Sequence, residues 1–160
     1  MSSSLTLHLM QLPELQMISK GGSPEGLNLK EGALPPDFIT AMAIREIERG
    51  METLWHSYFL FVEGNNAVGS GGFRGSPKEG RVEIGYGVAP SQQGKGFATA
   101  GAMLLVQKAF EQPGILEVFA ETSITNIPSR RVVEKAGFQH IGQRNTEDDG
   151  LVDRWLLTRA

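Results

Sequence analysis

The stretch Phe97–Phe110 constrains this chain most, because it has helical length and is apolar nearly all round. A helix with that pattern packs on more than one side and needs a sheet to lie against. It opens directly from Gln93-Gly94-Lys95-Gly96, and that turn follows the strand-like run Val82–Val88, closed by Pro90. Strand, glycine turn and buried helix in immediate succession fix a local geometry. A helix N-terminus presents unpaired backbone N–H groups and the positive end of the helix dipole. Glycines let an anion approach that backbone without interference from Cβ atoms. Together they form a cradle for phosphate or diphosphate. Glycines alone would favour an ordinary tight turn between strand and helix.

The flanking sequence supplies the sheet. Leu5–Leu9 alternates apolar residues with Thr6 and His8, the period of a strand. Lys20–Pro36 is punctuated by Gly21, Gly22, Pro24, Gly26, Gly32, Pro35 and Pro36 and reads as a long irregular loop. A helix then runs from near Asp37 to just before Gly50, with Ile39, Ala43 and Ile47 on one face and Phe38 and Met42 at its edge. Tyr58–Val62 and Ala67–Arg74 read as strands around the turn Glu63–Asn66. Beyond the apolar helix, Leu116–Ala120 is a strand and Pro128–Ala136 a short helix capped by Asn126 or Ile127. Phe138–Gln143 and Leu151–Thr158 are two further strands joined by the polar turn Asn145–Gly150. Hairpins followed by alternating helix and strand imply an α+β sheet with helices packed on it. The 160 residues fit one domain, spanning 1–160.

Composition narrows the function. There is no cysteine, which removes thiolate nucleophiles, cysteine-bound metals and disulfides. A net charge of -3 with no basic run argues against nucleic acid as partner. Met1–Ser4 lacks the basic start of a signal peptide. Ala98–Phe110 is interrupted by Gly101, Gln107 and Lys108 and is too short to span a bilayer. The expectation is a cytoplasmic protein with no membrane partner and no metal site.

Two phosphate-binding patterns fail at the glycine turn. Walker A requires Ser or Thr after the lysine, where Gly96 stands, and the dinucleotide fingerprint requires a third glycine, where Thr99 stands. The pattern that does match, Gln/Arg-x-x-Gly-x-Gly/Ala over Gln93–Ala98, resembles the GNAT superfamily of acetyl-CoA-dependent N-acetyltransferases. Glu83-Ile84-Gly85-Tyr86 with Val88-Ala89-Pro90 resembles that family's fourth strand. Asn126–Arg131 with Glu134-Lys135-Ala136-Gly137-Phe138 resembles its second cofactor-side motif. The branch containing ribosomal-protein N-terminal acetyltransferases is the most similar.

The resemblance implies a mixed, mostly antiparallel twisted sheet of about seven strands with helices on both faces. It implies acetyl-CoA as acyl donor and a primary amine, in a small molecule or at a protein N-terminus, as acceptor. The reaction would be direct attack within a ternary complex, with a non-catalytic acyl-CoA-binding module as the alternative. The diphosphate falls to the backbone of Gln93, Gly94, Lys95, Gly96, Phe97, Ala98 and Thr99. Gly85 and Gly87 read as places for a bulge, which would splay the strands and admit the pantetheine arm.

Val88 N–H is the implied donor to the thioester carbonyl. Asn126, Ser129 and Arg130 fall on the cofactor side, although Asn126 also suits a helix cap, and Arg130 and Arg131 a solvated face. Glu83 is the candidate general base, acting through water, or else a structural carboxylate. The family's tyrosine acid is replaced by Val133, which leaves Ser129, Tyr86 or water, or a step with no dedicated acid, with Ser129 the choice by position.

The acceptor site is expected from the Lys20–Pro36 loop, the following helix and the Asn145–Gly150 turn. There Glu147, Asp148 and Asp149 either attract a cation or form solvated turn chemistry. His8, His56 and His140 lie without a partner motif and read as structural, and Trp55 and Trp155 as core. A homodimer through the C-terminal edge strand is a further expectation.

Overall fold

A computed structural model describes residues 5–160, so the reading of Met1–Ser4 lies outside the described residues. The chain runs through β1 (Thr6–Leu9), α1 (Leu12–Ser19), β2 (Asn28–Leu29), α2 (Asp37–Glu48) and α3 (Thr53–His56). It continues through β3 (Phe59–Glu63), β4 (Asn66–Phe73), β5 (Arg81–Val88) and α4 (Phe97–Phe110). The last elements are β6 (Glu117–Ser123), α5 (Ile127–Lys135), β7 (Gln139–Thr146) and β8 (Gly150–Thr158). They form an eight-stranded sheet in the order β1-β3-β4-β5-β6-β8-β7, with the two-residue β2 joined to β4 inside the expected loop. All pairs are antiparallel except β2 with β4 and β5 with β6. A parallel pair needs a long crossover, and α4 provides it.

Strand alternation sends β3 side chains into two cores. Phe59 and Phe61 join Trp55, Phe97, Leu105, Val118, Val133 and Trp155 on the face covered by α4 and α5. Tyr58, Leu60 and Val62 join Met10, Leu15 and Ala43 beneath α1 and α2 on the other. Helices therefore lie on both faces. Gly101 lets α4 settle onto the sheet, since an added Cβ there would run into the buried Phe61 ring. Both tryptophans are core, as their bulk suggests. Val133 is fully buried beneath α5, so the position of the family's acid holds core packing in this chain.

Two helices have no counterpart in the sequence pattern. In α1, Glu14 accepts a hydrogen bond from Gln11 N at 3.0 Å and closes the first turn. The four-residue α3 seats Trp55 edge-on against Phe73 at 4.9 Å. Each is held by tertiary packing more than by its own length.

The register of β5 positions everything that follows. β5 pairs with β6 only at Arg81, Val82 and Glu83, opposite Glu117, Val118 and Phe119. Beyond that point β5 keeps β4 as its neighbour through Val88, while β6 keeps β8. The strands part without a bulge, because the β4–β5 register is unbroken from Ile84 to Val88. The bulge expected at Gly85 and Gly87 is thus absent, and the wedge opens by divergence of the strands alone.

Candidate active site

In an antiparallel ladder, residues whose N–H and C=O groups face the partner alternate with residues whose groups face away. Arg74 N donates to Glu83 O at 2.9 Å and Ala89 N to Val68 O at 2.8 Å, which sets the phase on β5. Tyr86 and Val88 therefore turn their backbone groups away from β4 and into the wedge. Gln93 Nε2 reaches Val88 O at 3.5 Å across that opening. The wedge leads to the glycine turn, where Gly94 and Gly96 take φ of 79° and 82°. Gly96 caps α4 with no side-chain bond, which leaves the amides of its first turn exposed. No atom lies within 4 Å of a Cβ placed on Gly94 or Gly96, so the cradle is open. The Lys20–Pro36 loop touches its rim, where a Cβ on Gly32 would lie 2.7 Å from Pro90 Cδ. Lys95 Nζ turns to Gln92 Oε1 at 3.3 Å.

Alternation also divides the side chains of β5. Val82, Ile84, Tyr86 and Val88 face α4 and α5, and Glu83 faces the opposite side. On the α5 side, Tyr86 OH lies 3.1 Å from Ser129 Oγ. Asn126 Oδ1 accepts from Ser129 N at 3.1 Å, which makes Asn126 the helix cap and fixes the serine at the wedge. Burial pushes the Tyr86 hydroxyl above the usual tyrosine value, against the hydrogen bond with Ser129. Tyr86 and Ser129 thus form a hydrogen-bonded pair on the α5 side of the wedge.

On the other side Glu83 opens into a cavity of about 230 Å³ lined by Arg74, Glu83, Glu121, Arg144, Asp148 and Asp149, with Ser123, Thr146 and Val152. The turn after β7 lines this cavity, whereas the Lys20–Pro36 loop and α2 do not. Burial pushes the Glu83 carboxyl up, and Arg74 only partly offsets it. Glu121 is held below the usual carboxylate range by two hydrogen bonds from Arg144, at 2.6 and 2.9 Å.

A neighbour of the site, Asp153, escapes sequence reading. Asp153, 1 % exposed, accepts from His140 Nε2 at 2.7 Å and Gln143 Nε2 at 3.1 Å. Arg130 joins it at 3.5 Å and lies over Trp155. Arg130 is thereby a brace between α5 and β8, while Arg131 is exposed and without an ion pair among the described residues. The histidines do have partners, His8 with Glu14 at 2.7 Å and His56 with Ser76 at 2.8 Å, and each contact is structural. Only the β7–β8 register brings His140 to Asp153, so no local motif announces it.

The chain as a whole has counterparts among known proteins. The acetyltransferase (GNAT) domain profile matches residues 22–139. This chain belongs to the GNAT acetyltransferase family. The chain spans under half the length of the curated relatives it matches. It is 41 % identical over 86 residues to an FsC-acetyl coenzyme A-N(2)-transacetylase of Aspergillus fumigatus, covering 49 % of this chain and 37 % of that protein. It is 31 % identical over 84 residues to an N-acetyltransferase, p20, of Bacillus licheniformis, covering 52 % and 47 %. Among solved structures, the aminoglycoside acetyltransferase AAC(6')-Ib with coenzyme A superposes with a TM-score of 0.70 at 25 % identity, over 98 % of this chain and 95 % of that one. The ribosomal L7/L12 acetyltransferase RimL, also with coenzyme A, shares the fold at a TM-score of 0.71 and 16 % identity, over 98 % and 95 %. No helix among the described residues of this GNAT chain is long and apolar enough to cross a membrane.

Proposed function

We propose that this GNAT protein transfers the acetyl group of acetyl-CoA to a primary amine by direct attack in a ternary complex. The observation that carries the reading is the wedge, which turns the Tyr86 backbone groups and Val88 N–H away from β4, between a carboxylate face and a hydroxyl face. The first-turn amides of α4, with Gln93, Gly94, Lys95, Gly96, Phe97, Ala98 and Thr99, hold the diphosphate. The amide-bearing arm pairs with the free side of β5 as an added strand. Arg131, rather than the braced Arg130, is the arginine of α5 free to meet phosphate.

The amine nitrogen attacks the thioester carbon from the Glu83 side. Val88 N–H stabilises the charge that gathers on the carbonyl oxygen. Glu83 takes the amine proton through water. As the carbon–sulfur bond breaks, Ser129 Oγ donates a hydrogen bond to the departing thiolate on the α5 side. Tyr86 orients that serine, and Asn126 holds its backbone. Hydroxyls from β5 and α5 thus flank the wedge, while Val133, in place of the tyrosine that the family resemblance implies, packs in the core.

A panel of small amines and N-terminal peptides, followed by thiol release from acetyl-CoA, tests the reading. Release with at least one amine is expected. Tight coenzyme A binding with no release for any amine would instead identify an acyl-CoA-binding module. The setting proposed is the cytoplasm, consistent with the lack of cysteine. The C-terminal strand β8 is flanked by β6 and β7 and is not an edge, so pairing of two copies falls instead to the edge strand β7; with one domain over residues 1–160, this completes the proposal.

A further inference from the structure

Arg74 follows directly on the last residue of β4 and has no assigned role, yet it lies against Glu83. The two residues stand opposite one another in a hydrogen-bonded pair, Arg74 N to Glu83 O at 2.9 Å. Their side chains emerge together, and Arg74 Nε lies 3.2 Å from Glu83 Oε2, with the arginine 62 % exposed and the glutamate 21 %. The guanidinium therefore covers the carboxylate from the solvent side. It rests on Gly85, where an added Cβ would sit 3.1 Å from Nη2 and 3.3 Å from Nε. Gly85 thus serves as a shelf for the arginine.

The other cations around the cavity pair with Glu121, and they favour the ionised Glu83 less than Arg74 does. From β6, Glu121 faces Glu83 as a second negative charge. Arg144 of β7 closes on Glu121 through two hydrogen bonds, and Arg154 of β8 lies 3.6 Å from the same carboxylate. Asp148 and Asp149 add further negative charge from the turn. Arg74 is the guanidinium whose ion pair among the described residues is with Glu83 alone.

We propose that Arg74 is a positioning residue for the general base, fixing the Glu83 carboxylate from the solvent side and keeping it ionised for proton abstraction. The proposal rests on Glu83 being the base. A carboxylate buried beside a second carboxylate and lacking its nearest cation would hold its proton to higher pH, and while protonated could not accept another.

The test uses the full chain labelled with ¹³C at glutamate carboxyls, with Glu83→Gln identifying the Glu83 resonance. Arg74→Gln is expected to raise the Glu83 titration midpoint, and Arg74→Lys to bring it back most of the way. Gly85→Ala, which crowds the shelf while both charges stay in place, is expected to raise it too and serves where Arg74→Gln does not fold. A midpoint unchanged in Arg74→Gln, or in Gly85→Ala when that variant carries the test, overturns the proposal. So does Arg74→Lys behaving like Arg74→Gln. With an amine from the panel, Arg74→Gln should lose about tenfold in kcat/KM on the acid side and recover as pH rises, since one pKa unit is a tenfold change in population. A loss of equal size at every pH overturns the ionisation role. Full activity in Glu83→Gln would overturn the base reading itself, a result distinct from any Arg74 outcome.

Discussion

Burial pushes the Glu83 carboxyl upward, and its ionised form is correspondingly disfavoured in the folded chain. A group with a raised folded pKa stabilises the fold while protonated, and that contribution is lost as pH rises through the folded value. At neutral pH the ionised side chain therefore costs stability. Glu83→Gln should melt above wild type at pH 7 while turnover falls roughly 100-fold or more. A lower melting temperature would contradict the linkage. At the cradle, Gly96 has φ of 82°, so Gly96→Asp combines backbone strain with a negative charge facing the diphosphate. Calorimetry should show coenzyme A affinity reduced about tenfold or more, equivalent to 1.4 kcal/mol; equal affinity would place the diphosphate elsewhere. Glu83 and Gly96 were legible in the sequence because each sits in a local pattern, a carboxylate within an apolar strand and a glycine opening a helix. Arg74 was not, since its place beside Glu83 depends on a register set across the intervening turn.

Helix ends and close approaches decide how the elements hold the site. Asn126 caps α5 through Ser129 N, so Asn126→Ala should cost about 1 kcal/mol in denaturant unfolding. Because the same bond fixes Ser129, turnover should fall alongside stability. Stability lost with turnover intact would detach Ser129 from the chemistry. Gly101→Ala should cost roughly 1–3 kcal/mol, because the added methyl meets a Phe61 ring that has nowhere to retreat. A neutral result there would mean that α4 can lift from the sheet. The long periodic elements were readable from pattern alone, α4 to the residue. The short helices α1 and α3 were not, because eight and four residues carry too little periodicity to stand out. The wedge was anticipated, but its supposed cause, a bulge at the glycines, was replaced by two strands that choose different neighbours.

Across the whole molecule, Asp153 ties β7, β8 and α5 together from the interior. Burial opposes its ionisation, but hydrogen bonds from Gln143 and His140 and the charges of His140 and Arg130 prevail, and its carboxyl is held low. A lowered folded pKa stabilises the fold above the unfolded aspartate value, and the contribution disappears as pH falls through the folded value. Asp153→Asn should therefore melt below wild type at neutral pH, with the gap narrowing below about pH 4. A gap that stays constant into acid would make the effect one of packing alone. An aspartate in Leu151-Val152-Asp153-Arg154-Trp155 looks like a solvent-facing strand residue, and only tertiary pairing reveals its burial.

The parting of β5 from β6 after Glu83 and Phe119 also leaves the molecule as two half-sheets stitched along one short seam. A donor seated in the gap would supply the missing rungs, like the rest of a zip, and amide exchange should slow on both banks at once. Emptying the site after transfer then means unpicking main-chain rungs. The pace of turnover would in that case be governed by release of the spent donor, and acceptors of very different reactivity would be acetylated at similar maximal rates.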